Sequence, residues 1–273
     1  MRNVVHIDEK WFYMTQKRVR AYLHPKEKTP WRKIKNKNFI PKAMFMAAVA
    51  RPRWNQDGSC AFDGKIGIWP FTKQVPAQRS SDNRPRGTLE TKPIDAITKD
   101  VIRDMLVNKI MPAIREKWPN DLSKVIYIQQ DNAPCHINND DPVFQQHKLL
   151  HGFDFRLIQQ PPNSPDMNIL DLGYFRVLQT LQYRKSPRKT DQLVAAVNES
   201  WEELHPKTLS NVWMSLQFYL NEVIKVCGNN EYDESHAKKS QLEDLGSLPE
   251  EVGPAVEDVH KAVQFIAEHM NGN

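Results

Sequence analysis

Val4-Val5-His6-Ile7-Asp8-Glu9-Lys10-Trp11-Phe12 is the stretch on which the fold turns. Its Val and Ile residues favour extended, buried backbone, so residues 3–8 read as a strand that ends at Asp8. Two more aspartates follow apolar segments. Asp131 stands in Ile128-Gln129-Gln130-Asp131-Asn132-Ala133-Pro134, just past a strand predicted over Lys124 to Ile128. Asp171 ends Ser164-Pro165-Asp166-Met167-Asn168-Ile169-Leu170-Asp171, on the first turn of a helix. Three carboxylates delivered by separate elements would form an oxygen-rich pocket, the donor set that Mg²⁺ takes together with substrate phosphate. The chain therefore reads as a metal-dependent phosphoryl-transfer enzyme.

Outward from these words, strands are expected at residues 20–24, 43–50, 66–69 and 154–158. Ile94, Ile97, Val101, Ile102, Met105, Leu106, Ile110 and Ile114 recur at helical spacing and predict one long amphipathic helix from Pro93 to Trp118. Shorter helices are expected at Asp141–His151, from about Asp166, at Thr190–His205, at Leu209–Val226 and at Ala255–His269. Val75 to Lys92 is rich in Pro, Ser, Arg and Asn and reads as a long loop. Strands first, then helix and strand in alternation, give an α/β layer architecture with ligands met at strand ends. Residues 1–226 form the expected catalytic unit and 227–273 an acidic linker with a final helix.

At 273 residues and 40% hydrophobic content the chain can bury a sizeable core. Its longest apolar run, Ala43 to Ala50, is far short of the roughly 20 residues of a membrane span. The three cysteines, Cys60, Cys135 and Cys227, form no Cys-x-x-Cys pair and suggest a reducing compartment. The net charge of +5 is unevenly placed: Trp11 to Arg53 holds 12 Lys or Arg and the single acid Glu27. These cations are interleaved with Trp11, Tyr13, Tyr22, Trp31 and Phe39, a mixture suited to phosphate contact and stacking.

Asp166 and Asp171 compete for the third position. Asp166 follows Pro165 and suits an N-cap, whereas Asp171 shares a helix face with Phe175 and Leu178, which points it inward, where a charge is costly unless paired or metal-bound. Asp171 is taken as the ligand and Asp166 as structural. Glu9 falls on the opposite strand face from Asp8, and the adjacent Cys135 and His136 lack the second pair that a zinc site needs.

With these words in place, the sequence resembles the mariner-like transposases, a retroviral-integrase-type group with a ribonuclease H-like α/β fold. The resemblance runs over about residues 3–225 and rests on His6-Ile7-Asp8-Glu9-Lys10-Trp11-Phe12, Gln130-Asp131-Asn132-Ala133-Pro134-Cys135-His136 and Gln160-Pro161-Pro162-Asn163-Ser164-Pro165-Asp166 followed by Asn168-Ile169-Leu170-Asp171. It implies a catalytic triad of Asp8, Asp131 and Asp171, and the 39 residues between the last two look like the plant-type branch. Two Mg²⁺ or Mn²⁺ ions are implied, with Asp8 shared between them, as are double-stranded DNA as partner and a nuclear location. Segment 24–43 corresponds to a clamp-like loop, so Lys26, Lys28, Trp31, Arg32, Lys33, Lys35 and Lys37 are expected to contact DNA or the second subunit of a homodimer. The family carries paired helix-turn-helix domains ahead of the first catalytic strand. With only seven residues before Asp8, this sequence is expected to bind DNA without sequence preference.

Overall fold

A computed structural model of the chain describes residues 1–15, 24–28, 40–82, 84–229, 232 and 251–270. Its central element is β1 (Val4–Tyr13), flanked on one side by β2 (Lys42–Ala50) and beyond it β5 (Lys65–Pro70). On the other side lie β8 (Val125–Gln130) and β9 (Asp154–Gln159). The order is β5-β2-β1-β8-β9, with β2 antiparallel to both β1 and β5, and β8 and β9 parallel to β1. A small hairpin of β3 (Arg53–Trp54) and β4 (Cys60–Phe62) joins β2 to β5.

The two faces of the sheet are covered by different helices, and the strand alternation sorts the side chains between them. Val5, Ile7, Met46, Ala48 and Ala50 pack into one core with Ile126, Ile128 and Phe155. That core is covered by α1 (Lys99–Met105), a π turn (Leu106–Ile110) and α2 (Met111–Lys117), and by α3 (Pro142–His147). Phe12, Phe45, Ala47 and Val49 point the other way and meet α4 (Phe175–Arg184), α5 (Thr190–Glu203) and α6 (Pro206–Lys225) through Phe175, Leu178, Val197, Trp201 and Trp213. Each fully buried Phe or Leu contributes about 1.5–3 kcal/mol relative to exposure, so the two aromatic-rich cores dominate the stability of the sheet.

Polar anchors fix the layers in register. The Trp213 indole N–H donates to the Ala50 carbonyl at 3.1 Å, tying α6 to β2. Asp141 caps α3 by accepting from Val143 N and Phe144 N, both 3.1 Å, and also takes Arg103 Nε at 2.8 Å, which joins α3 to α1. Gly64 (φ +76°) lets the chain turn into β5, where a Cβ would stand 2.3 Å from the Ala50 carbonyl oxygen.

Several expectations are corrected. β1 does not end at Asp8 but runs on to Tyr13, because it stays paired with β2 after its ladder with β8 ends at His6. The loop expected at Val75–Lys92 is narrower, at 77–88, and its ends belong to an antiparallel ribbon of β6 (Thr72–Pro76) and β7 (Leu89–Pro93), whose prolines sit at strand ends where they interrupt no ladder. The long helix begins at Lys99, capped by Thr98, since Pro93 belongs to β7. The strand expected at 20–24 lies outside the described residues except His24, which belongs to a turn closed by Glu27 N to the His24 carbonyl at 2.8 Å. The final helix, α7 (Val256–Met270), stands as expected. Among the described residues no helix is long and apolar enough to cross a membrane.

His6, on the face of β1 that carries Asp8, is 2% exposed and meets Trp213 edge-on at 4.9 Å, with no hydrogen-bond partner for Nδ1. Burial lowers its pKa to about 3. Below pH 6.5 the unfolded chain gains a proton that the folded chain refuses until about pH 3, so this residue makes stability fall as pH drops through that window. We predict that His6→Phe, which keeps the edge contact, recovers on the order of 3 kcal/mol of the loss between pH 7 and pH 3.5. Urea midpoints at the two pH values check this; an equal loss in both proteins would contradict it.

Candidate active site

Asp8 is placed by the mismatch between the neighbours of β1. Its register partner on β2 is Ala47, but the parallel ladder with β8 has already ended at His6–Gln129, so the sheet opens on one side of Asp8. Just past β8 comes Asp131. Asp171 arrives from the other layer on a π turn (Leu170–Tyr174) that precedes α4. All three line one cleft with Asn132, Gln160 and Asn168. Asn132 Nδ2 donates to the Gln160 carbonyl at 2.7 Å, and Gln160 Nε2 to the Ser164 carbonyl at 2.6 Å, which pins the proline-rich loop against the turn after β8.

Within the cleft the three acids are not equivalent. Asp8 is 9% exposed; its Oδ1 accepts from Glu9 N at 2.7 Å and its Oδ2 from Asn168 Nδ2 at 2.8 Å. Its pKa is raised to about 8, first by burial, then by the charges of Asp171 and Glu9 and by a hydrogen bond shared with Asp171. Two carboxylates that crowd one site cannot both ionise cheaply, so in the metal-free protein Asp8 keeps a proton at neutral pH. Asp131 is turned toward a different partner: its Oδ1 accepts from Ala133 N at 2.9 Å and lies 2.9 Å from His136 Nδ1.

His136 joins the two faces of β1. Its Nδ1 also stands 3.0 Å from the Asp131 carbonyl oxygen, and its Nε2 3.0 Å from Glu9 Oε1. Burial pulls the imidazole pKa down, but the Glu9 hydrogen bond and charge, followed by those of Asp131, outweigh it and raise the value to about 9. The ring is thus an imidazolium at neutral pH, donating to Glu9 on one side and to Asp131 on the other. Glu9 lies on the strand face opposite Asp8, as its position in the sequence requires.

Among the described residues the cleft offers carboxylate and amide oxygens and no thiolate, a hard-cation environment, and a cation between Asp8 and Asp171 would relieve the repulsion that raises the Asp8 pKa. Among the described residues, however, no three His, Cys, Asp or Glu side chains come close enough to share one ion. Asp8 and Asp171 form the pair, and Asp131 is held across the cleft by His136.

Two readings of this segment need correction. Asp171 is exposed rather than inward-facing, because the π turn dephases it from Phe175 and Leu178, which belong to the regular helix after it and are buried. Asp166 is not an N-cap; it accepts the Tyr232 hydroxyl. The cap is Asn168, whose Oδ1 accepts from Leu170 N at 3.0 Å while its amide reaches Asp8. Sequence reasoning missed this residue, although an Asn directly before the apolar run is an N-cap signal. Of the expected clamp-like residues, Lys26 and Lys28 are exposed beside the His24–Glu27 turn, and Trp31, Arg32, Lys33, Lys35 and Lys37 lie outside the described residues.

Three antiparallel strands, two parallel ones, and acids on the first strand, after the fourth and on the next helical layer define the ribonuclease H-like fold of the retroviral-integrase type. Among solved structures, the chain superposes on the Mos1 transposase paired-end complex with left transposon end at a TM-score of 0.58 and 16% identity, covering 85% of this chain and 57% of that one. For the Mos1 mariner paired end complex with Mn the score is 0.56 at 15% identity, covering 83% and 56%. The Mos1 transposase catalytic domain with raltegravir and Mn gives 0.51 at 14%, covering 84% of both chains. This chain thus has the fold of the Mos1 transposase catalytic domain and spans a little over half the length of the Mos1 chains in the two paired-end complexes. Comparisons with protein-family models and with curated proteins return no match.

The imidazolium contributes stability in full below pH 6.5 and loses it as pH rises through about 9, since the folded chain holds the proton more tightly than the unfolded one. In Glu9→Gln the main support of that proton is gone. NMR titration of His136 in the metal-free protein should give a midpoint near 9 in the wild type and one lower by at least about one pH unit, roughly 1.4 kcal/mol, in the variant. An unchanged midpoint would remove Glu9 as the cause.

Proposed function

We propose that this chain is the catalytic domain of a mariner-like transposase of the plant-type branch, which cuts DNA strands and joins the freed 3′-OH to target DNA with Mg²⁺ or Mn²⁺. The observation that carries this reading is the convergence of Asp8, Asp131 and Asp171 on one cleft at the open end of the β1–β8 ladder. The shared fold with Mos1 transposase supports it. When bound, two divalent ions would polarise the attacking and leaving oxygens of the phosphodiester. Asp8 and Asp171 are the residues best placed to hold them, and Asp131, across the cleft on His136, would complete the set if turned toward the pair. Asn168 orients Asp8 through Oδ2, and Asp8 would hold a cation as the ionised carboxylate. No side chain needs to act as general base. Lys26, Lys28 and the basic residues 32–37 with Trp31 would contact DNA or a second copy of the chain, and the site of action would be the nucleus.

A second reading is a non-catalytic transposase remnant that binds DNA or protein. One observation favours it: Asp131 is engaged by His136 rather than presented to the other two acids.

The experiment that separates the readings is cleavage of supercoiled DNA in Mn²⁺. Asp8→Asn, Asp131→Asn and Asp171→Asn should each lower the rate by more than the roughly 10–100-fold that loss of an outer partner costs, whereas Asn168→Ala should fall within that range. Asp166→Asn should stay near wild type, since among the described residues its side chain meets the Tyr232 hydroxyl rather than the other acids. A folded wild-type protein without metal-dependent cleavage would establish the remnant; an active Asp171→Asn would remove the third ligand.

A further inference from the structure

The ribbon of β6 and β7 leaves the sheet at the end where the acids stand. β5 runs in the direction of β1, since both are antiparallel to β2, and the register sets Ile68 of β5 level with Asp8 across Ala47. Pro70 is level with Lys10, and β6 starts two residues later. Two strand spacings separate β5 from β1, so the root of the ribbon is offset from the cleft by roughly 10 Å across the sheet and lies beyond Asp8 along it.

Core packing does not account for the ribbon. Of the described residues from Thr72 to Pro93, Ala77 alone is buried. The far end is nevertheless closely built. Ala77 N donates to the Thr88 carbonyl and Gly87 N to the Ala77 carbonyl, both at 2.9 Å, and Ser81 and Arg84 exchange backbone bonds at 2.8 and 3.0 Å. Arg86 N donates to Ser80 Oγ at 3.0 Å. These bonds satisfy the backbone inside the turn and fix where its side chains leave it, so little conformational freedom remains to be lost on binding.

What the ribbon presents is positive charge. Residues 72–93 hold five cations, Lys73, Arg79, Arg84, Arg86 and Lys92, against Asp82 and Glu90. Glu90 is shared by Arg84 at 3.2 Å and Lys92 at 3.5 Å, and Lys73 pairs with Asp95 beyond the ribbon. Lys73 and Lys92 are register partners, and like charges set opposite one another weaken a ribbon. Arg79 and Arg86 are exposed, and among the described residues their guanidinium groups have no hydrogen-bond or ion-pair partner. Two free guanidinium forks on a preformed turn match phosphate oxygens, and a two-stranded ribbon is narrow enough to follow a duplex groove of about 12 Å.

We propose that this ribbon is a DNA arm of the catalytic cleft, with Arg79 and Arg86 each taking a phosphate of the duplex whose strand the acids receive. The inference rests on the reading that the chain acts on DNA, and it adds a contact carried by β6 and β7 to the one assigned to the basic segment 24–43.

The test is fluorescence anisotropy of a labelled 30-base-pair duplex with the full chain in EDTA, which removes metal-dependent chemistry from the readout. Arg79→Gln/Arg86→Gln, with a thermal transition like that of the wild type, should weaken binding about ten- to thirtyfold at 0.15 M salt and lower the slope of log affinity against log salt by roughly 1.8, two phosphates at about 0.9 each. Arg79→Gln alone serves if the pair is destabilised, with about half the change in slope. Arg79→Lys/Arg86→Lys, which keeps both charges, should restore the slope. Lys109→Gln/Lys261→Gln, which removes two exposed cations from the helical layers, should bind like the wild type. A Gln pair on the ribbon that binds like the wild type, or a helical pair that loses as much, would overturn the proposal. So would polyglutamate that competes with the label as well as unlabelled duplex does at equal charge concentration, which would assign the arm to an acidic protein partner. Metal-dependent cleavage by the wild type, together with binding that the ribbon pair leaves unaltered, would defeat the arm and leave the catalytic reading standing. Ribbon-dependent binding in a wild-type chain that never cleaves would do the reverse.

Discussion

Repulsion between Asp8 and Asp171 is the constraint around which this molecule is organised. One belongs to the sheet and the other to the helical layer packed on it, so every contact that docks α4, α5 and α6 on β1 and β2 also presses two carboxylates together. The packing wins because its apolar contacts far exceed the cost of one protonated acid, which for Asp8 appears as a pKa near 8. Asn168 makes the arrangement specific by fixing one oxygen of Asp8 and the first free N–H of the following helix with the same side chain.

The helices around this pair are not uniform. π turns interrupt both sides of the sandwich, at Leu106–Ile110 under one face and Leu170–Tyr174 over the other. Each widens the helix by part of a turn and changes which side chains face the sheet. In the second case the change carries Asp171 out of the core and sets it at the mouth of the cleft, so a distortion of the backbone, rather than a choice of residue, gives the acid its access.

Much of this was legible in the sequence. Asp8 and Asp131 were found because an acid next to a Val/Ile-rich strand breaks the local pattern. β2, β5, β8 and β9 were found because their apolar runs stand between turn residues. Other features were hidden for physical reasons. β1 continues through Glu9 and Lys10, whose polar side chains look like the end of a strand but belong to a stretch bonded on one side only. The ribbon of β6 and β7 is polar and exposed, so it shows no alternation against a core. Helical phase counting failed at Asp171 because it assumes 3.6 residues per turn where the chain spends one π turn. The latch of His136 on Asp131 and Glu9 joins positions 127 residues apart in sequence, and no local pattern announces it.

Electroneutrality sets the order in which such a site can fill. Asp8, Asp131 and Asp171 line the cleft, and behind Asp131 the His136 imidazolium is paired with Glu9, so the group carries a deficit of three positive charges when all four acids are ionised. One divalent ion falls short of that deficit by one, and two exceed it by one. The excess equals the charge of a single phosphodiester. In a partly buried cleft, where unbalanced charge is costly, the three acids would hold a second cation more readily with a DNA strand than ahead of it, and substrate itself would be the counterion that completes the site.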